Sequence, residues 1–405
     1  GGSAGGGGSC VPSPCVAGEC GVKSDGCGAS VSCGACGPNE QCHVVTPGRC
    51  GPAPCFNGVM DAAEADVDCG RVCAAKCAVG KRCSVSADCD ALATCDSTTL
   101  RCTAGRYVAL APMPAPAGNV AFAWANSRLY VFGGLDRSIR PRSSVFIFDG
   151  QAWRTGASFQ EPRQLSGAGA LPDGRIALVG GVGAFGSDGG ERRRVDVYEP
   201  ISDTWSRLPD LPVPRSAGCV IGLGDGTLLL IGGFSGDDDR TPERSGFRLA
   251  ADSGTWVETP NVLQIARSSA ACGVLNDGGV LLAGGAIAGG VYATDSVEQV
   301  DPVLLTSTLR GPLPAKRCLL NGPVTADGRI FALGGWEAGN PNFGRGGYAT
   351  RTSWTWSASR QVWEPLTDLP EVMYGAASAP APDGGVWIAG GSRKNSTDFY
   401  PYPLD

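Results

Sequence analysis

The chain has 405 residues, a formal charge of −6 and only 18% charged residues, a balance that argues against a nucleic-acid partner and against a charge-rich disordered chain. Glycine (62) and cysteine (19) are abundant, and a single histidine excludes sites that need several imidazoles. A long uncharged run, Gly278–Thr294, holds six glycines, so it reads as paired strands and no transmembrane span is expected.

Residues 1–9 (GGSAGGGGS) form a Gly/Ser tether without an initiator Met or an apolar signal region. They suit a mature exported chain, with a lipid anchor ahead of residue 1 as one way to hold it. Sixteen cysteines then fall before residue 103 in two even sets. Cys10, Cys15, Cys20, Cys27, Cys33, Cys36, Cys42 and Cys50 make module 10–50, and Cys55, Cys69, Cys73, Cys77, Cys83, Cys89, Cys95 and Cys102 make module 51–104. Four disulfides in each is the expectation, and it places the protein outside a reducing cytosol. Spacing leaves the connectivity open. Cys33-Gly-Ala-Cys36 beside His43 has metal-ligand spacing, but no second pair completes a zinc site, so no metal and no cofactor are expected. Asp61, Glu64, Asp66 and Asp68 lack the spacing of a calcium loop and read as a solvated acidic turn. The stretches Cys20–Cys42 and Asn57–Cys95 resemble Cys-rich modules of exported myxobacterial proteins. That resemblance implies a secreted or outer-surface location, not an activity.

Six copies of one motif fill residues 105–405: LYVFGG (Leu129–Gly134), IALVGG (Ile176–Gly181), LLLIGG (Leu228–Gly233), VLLAGG (Val280–Gly285), IFALGG (Ile330–Gly335) and VWIAGG (Val386–Gly391). Each is a short buried-strand pattern closed by two glycines. The copies are 47, 52, 52, 50 and 56 residues apart. Five follow an Asp-Gly pair and the first follows Asn126-Ser127, which predicts hairpins with type I′ turns. The strands before the turns are rich in small residues, as an innermost strand needs. In four repeats a third strand and a turn lead to Trp153, Trp205, Trp256 or Trp363. This order resembles the kelch repeat and implies an all-β, six-bladed kelch β-propeller behind small disulfide-rich modules. The last repeat lacks an outer strand, so Gly105–Pro114, with Tyr107 in the Trp place, is expected to close the ring as that strand.

Strand order puts the paired glycines and the long, unequal loops after them on one face, where binding is expected. Arg163, Arg215, Arg267 and Arg317 occupy one repeat position there and predict a ring of guanidinium groups for an anionic ligand, or bridges between blades. Trp336, Phe343 and Tyr348 offer aromatic surface for sugar or peptide.

The kelch resemblance extends to galactose oxidase, whose copper site uses histidines and tyrosines. His43 lies in the Cys-rich part, so that chemistry and a Ser–His–Asp triad are not expected in the propeller. Gly181–Gly186 matches GxGxxG but no helix pattern follows, so no dinucleotide site is read there. Cys219, Cys272 and Cys318 read as buried thiols. The function expected is a monomeric binding or adhesion protein whose partner is a carbohydrate or a protein. The alternative is a sugar mutarotase or epimerase, implied by resemblance to exported kelch propellers, with Glu161 or Glu371 as base beside arginine.

Overall fold

A computed structural model describes residues 107–392 apart from 184–189, 191, 236–240, 288–291, 321–329, 338–346, 358–361 and 382–384. Ahead of these it describes 20, 22–24, 30–33, 35–36, 40–43, 49–52 and most of 59–103. The chain separates into two compact parts, Gly1–Arg106 and Tyr107–Asp405. Among the described residues the regular elements are all β-strands, and no helix is long and apolar enough to cross a membrane.

In the first part, disulfides join Cys20–Cys42, Cys36–Cys50, Cys69–Cys77, Cys83–Cys95 and Cys89–Cys102. Cys33 and Cys73 are bridged as well. Cys36 therefore serves a bridge to Cys50, not a metal pair with Cys33. Cys10, Cys15, Cys27 and Cys55 lie outside the described residues. Of the acidic residues expected to be solvated, Glu64 and Asp66 turn onto the backbone, and Asp61 lies outside the described residues. Buried Glu64 accepts the Asp68 amide, and Asp66 accepts those of Val67 and Arg82. Asp88 accepts three amides, from Arg71, Ser84 and Val85. Desolvation would raise its pKa, but those bonds outweigh it and hold the carboxyl below its usual range.

The second part is an all-β propeller. Repeats one to four each form an antiparallel four-stranded sheet, and repeat five shows three strands. Repeat six contributes the hairpin Ala377–Pro380 with Val386–Ala389. The described residues thus hold five sheets of three or four strands, not the six expected. Of the segment expected to close the ring, residues 107–110 are described outside the strands, with Val108 and Leu110 exposed, and residues 105–106 and 393–405 lie outside the described residues. What persists is the side-chain pattern. The indoles of Trp153, Trp205, Trp256 and Trp363 donate to carbonyls of Ala111, Ala157, Pro209 and Gly311 in the preceding link. The Tyr107 hydroxyl likewise donates to the Thr367 carbonyl at 3.3 Å.

The paired glycines are clasps between repeats. Both glycines have positive φ in all six copies. The second donates its amide, at 2.7–3.0 Å, to the carbonyl of Arg163, Arg215, Arg267, Arg317, Met373 or Ala117 in the next repeat. A Cβ on the first would stand 2.1–2.6 Å from that same oxygen. Only glycine satisfies both demands. Inner strands crowd in the same way, since a Cβ at Gly222 would meet the Ala170 carbonyl at 2.0 Å.

The turns correct one expectation. Asn126 and Ser127 have φ of 49° and 56°, the type I′ turn. In Asp-Gly copies only the glycine is left-handed, at 86°, 83° and 84° for Gly174, Gly226 and Gly278. There Leu171 accepts the Gly174 amide, a type I turn closed by a left-handed glycine. The aspartate side chain prefers this form because it accepts the amide two residues on: Arg175, Thr227 or Gly279. Asp327-Gly328 and Asp383-Gly384 lie outside the described residues.

Cys219 and Cys272 are not thiols. They bridge the inner strands Cys219–Gly222 and Ala271–Val274 of neighbouring repeats. Cys318 alone is free and buried among the described residues, and desolvation pushes its thiol up to about 12.

Candidate functional site

Repeats three, four and five raise a second, two-stranded hairpin from the glycine face. These pair Phe234–Ser235 with Thr241–Pro242, Ala286–Ile287 with Tyr292–Ala293, and Trp336–Glu337 with Tyr348–Ala349. One apolar cluster binds them: Phe234, Ala286, Ala293, Cys318, Trp336, Ala349 and Tyr374. Thr241, Tyr292 and Tyr348 hold the same register position, and both tyrosines are about half exposed, at 54% and 50%. Desolvation and then a hydrogen bond to Glu337 raise the Tyr348 pKa.

On the axis, beside these hairpins, is a cavity of about 40 Å³ lined by residues including Asn119, Phe234, Cys318, Trp336 and Tyr374. It sits against a ring of backbone hydrogen bonds. Leu165 donates to Asn119, Ala217 to Leu165, Ser269 to Ala217, Leu319 to Ser269, Gly375 to Leu319 and Asn119 to Gly375, at 2.7–3.2 Å. All six have φ between 51° and 61°. The Asn119 side chain donates through Nδ2 to Gln164 Oε1 at 3.0 Å, while its Oδ1 has no partner. Trp336 meets Tyr374 edge-on at 5.2 Å.

The four arginines do not form the expected ring at the mouth. Each is at most 3% exposed, and none lines the cavity. Each guanidinium runs back into its own repeat toward the second residue of the third strand. Arg163 bonds Asp196 at 2.6 Å, and Arg267 bonds Glu298 at 2.5 Å. Arg215 lies over Phe247 and Arg317 over Trp354. Burial lowers the Arg163 and Arg267 pKa values, opposed by their carboxylate partners. Ser245 and Thr352 accept further bonds from Arg215 and Arg317, and Arg317 also bonds Glu337. The chain reaches these partners because the arginine carbonyl is already held by a glycine clasp.

Of the aromatic trio, Trp336 is buried and lines the cavity, Tyr348 is exposed on its hairpin, and Phe343 lies outside the described residues. Glu161 bonds Arg194 at 3.0 Å and Glu371 is exposed; neither lines the cavity. Tyr292, Phe234, Tyr374 and Asn119 escaped sequence reasoning. One signal was present for Tyr292: Tyr-Ala-Thr occurs at 292–294 and again at 348–350, ahead of the third strand each time.

No family model matches the sequence. Curated relatives include the spermatocyte protein spe-26 of Caenorhabditis elegans, 32% identical over 156 residues, or 36% of this chain and 25% of that protein. The kelch repeat and BTB domain-containing protein 12 of Danio rerio is 30% identical over 152 residues, 33% of this chain and 24% of its own. N-acetylneuraminate epimerase of Brucella suis is 28% identical over 220 residues, 42% of this chain and 57% of that protein. The chain thus spans about a quarter of the length of the first two relatives. The solved structure of YjhT matches with a TM-score of 0.60 at 17% identity, covering 73% of this chain and 95% of that one. The described part of residues 107–392 thus has the fold of a β-propeller, and the chain is similar over part of its length to kelch-repeat proteins.

Proposed function

We propose that this protein is an exported binding protein whose glycine face captures a segment of a partner protein. One observation carries the reading: three consecutive repeats build extra hairpins on a single apolar base and present Tyr292 and Tyr348 at equivalent positions. Half-exposed tyrosines beside an apolar depression are the usual anchors of an interface. Kelch relatives support a binding role, and the disulfides support a compartment outside the reducing cytosol. The full chain is tested on peptide and glycan arrays. Tyr292→Ala and Tyr348→Ala should each weaken the best peptide about tenfold or more. Binding that survives both replacements together would remove the hairpins from the site.

A second reading is favoured by the similarity to N-acetylneuraminate epimerases. Its chemistry would use the Arg317–Glu337 pair with Tyr348, which combines a buried cation, a carboxylate and a phenol on this face. Epimerisation of N-acetylneuraminate by the full chain, abolished by Glu337→Gln, would establish it. No turnover with N-acetylneuraminate would leave the binding reading alone.

A further inference from the structure

One position on the glycine face recurs around the propeller. Its amide donates to the carbonyl of the second clasp glycine at 2.7–3.1 Å, and its carbonyl accepts an amide from the following repeat. Arg142, Arg192, Glu243, Thr294 and Thr350 fill it in repeats one to five. The two arginines therefore stand on neighbouring repeats, and their side chains are 32% and 27% exposed. Among the described residues their Nη atoms have no hydrogen bond, and they are open to solvent; only Nε of Arg192 is enclosed.

The nearby carboxylates are engaged elsewhere. Asp136 Oδ2 is 3.9 Å from Arg142 Nε, but its Oδ1 accepts the amides of Ser138 and Arg140. Glu161 Oε2 is 4.0 Å from Arg192 Nε, while its Oε1 is bonded to Arg194 at 3.0 Å. Such long, part-exposed ion pairs contribute little. Gly183 leaves the space that the Arg192 guanidinium occupies, since a Cβ there would stand 2.4 Å from Nη2. In repeat three that place is Ser235, which bonds Glu243. The surrounding loops follow the same division. Residues 135–144 and 182–194 hold six arginines against three acidic residues, whereas 234–245 and 286–296 hold two against five. One side of the face is thus positive on a chain of net charge −6.

We propose that Arg142 and Arg192 are seats for carboxylates, and that the protein segment captured on the glycine face lays an acidic run over repeats one and two. Arginine suits this task because its paired N–H donors match a carboxylate. The proposal rests on the glycine face being a protein-binding surface and adds the charge of the partner.

The test titrates oligoglutamate into the full chain and follows the Nε–H signals of Arg142 and Arg192. Oligoglutamate should shift both, and oligolysine neither. Arg142→Gln and Arg192→Gln should each weaken oligoglutamate about tenfold, while the clasps, which are backbone bonds, keep the fold intact by thermal melt. Gly183→Ala keeps every charge but places a methyl where the Arg192 guanidinium lies, so it should weaken binding as well. If Arg192→Gln does not fold, Gly183→Ala and Arg142→Gln carry the test. Exposed Arg128 lies at the opposite, turn end of its strand, and Arg128→Gln should leave the affinity unchanged at physiological salt. No binding of oligoglutamate, equal losses from Arg128→Gln and Arg192→Gln, or polygalacturonate bound in place of oligoglutamate would each overturn the proposal. Oligoglutamate brings no aromatic or apolar side chain, so these outcomes leave Tyr292 and Tyr348 to their own arrays. Peptides that need the tyrosines but are indifferent to both arginines would end this proposal alone.

Discussion

At the residue scale the arginine position shows how one sequence feature takes two physical forms. The residue facing it is Asp196, Phe247, Glu298 and Trp354 in repeats two to five, so a carboxylate and an aromatic face alternate. In repeat one the pair is Ala117 and Phe146, joined in an apolar cluster. Glu298 also accepts the amides of Gln264 and Ile265, and both partners of its ion pair are fully buried. Removing one partner leaves an uncompensated interior charge. Arg267→Met should therefore cost about 3–5 kcal/mol in urea unfolding. Asp203 gives a pH signature. The Ala157 amide and then the Tyr198 hydroxyl hold its carboxyl below the usual range. A depressed folded pKa stabilises above the unfolded value of about 4, and that contribution is lost as pH falls through the folded value. The melting temperature should fall more steeply below pH 4 in wild type than in Asp203→Asn.

At the element scale two glycines of similar φ separate strain from collision. Gly278 has φ +84° with nothing within 4 Å of where an added methyl would stand, whereas at Gly180, φ +60°, that methyl would lie 2.1 Å from the Arg215 carbonyl. Gly278→Ala should cost about 1–2 kcal/mol from backbone strain alone. Gly180→Ala should cost well beyond that, because a clasp must open, and denaturant midpoints will show the difference. The bridge between Cys219 and Cys272 closes a loop of 53 residues. Loop entropy puts its contribution at about 4 kcal/mol, so Cys219→Ser with Cys272→Ser should lower the urea midpoint accordingly.

At the scale of the whole propeller, the clasps and the axial ring make closure cooperative. Gly391 donates to Ala117, and Asn119 donates to Gly375, so the last repeat is tied to the first by the same bonds that join the others. The two-stranded hairpin of repeat six is packed into the cluster of repeat one through Ala377 and Ala379. The amides of Asn119, Leu165, Ala217, Ser269, Leu319 and Gly375 should exchange with solvent together, at the rate of global opening. Rapid exchange at Asn119 and Gly375 alone would show that the ring opens there first.

Much of this was readable in one dimension. Paired glycines, short apolar runs and a repeat near fifty residues imply stacked hairpins because backbone geometry acts locally. The Tyr-Ala-Thr recurrence was equally visible. Turn type was half legible, since Asn-Ser and Asp-Gly differ in whether the first residue enters the left-handed region or caps the next amide. What the chain alone left undecided was direction and partnership. The arginines share a repeat position whether they face the axis or the blade, and only the third strand, some thirty residues away, supplies the carboxylate or ring that draws them inward. Cys219 and Cys272 became a bridge because neighbouring inner strands met, and the lone acceptor of Asn119 arose where six distant segments converge. Local conformation is written in neighbouring residues; which side chains meet, and which polar atom goes unmet, is settled by packing.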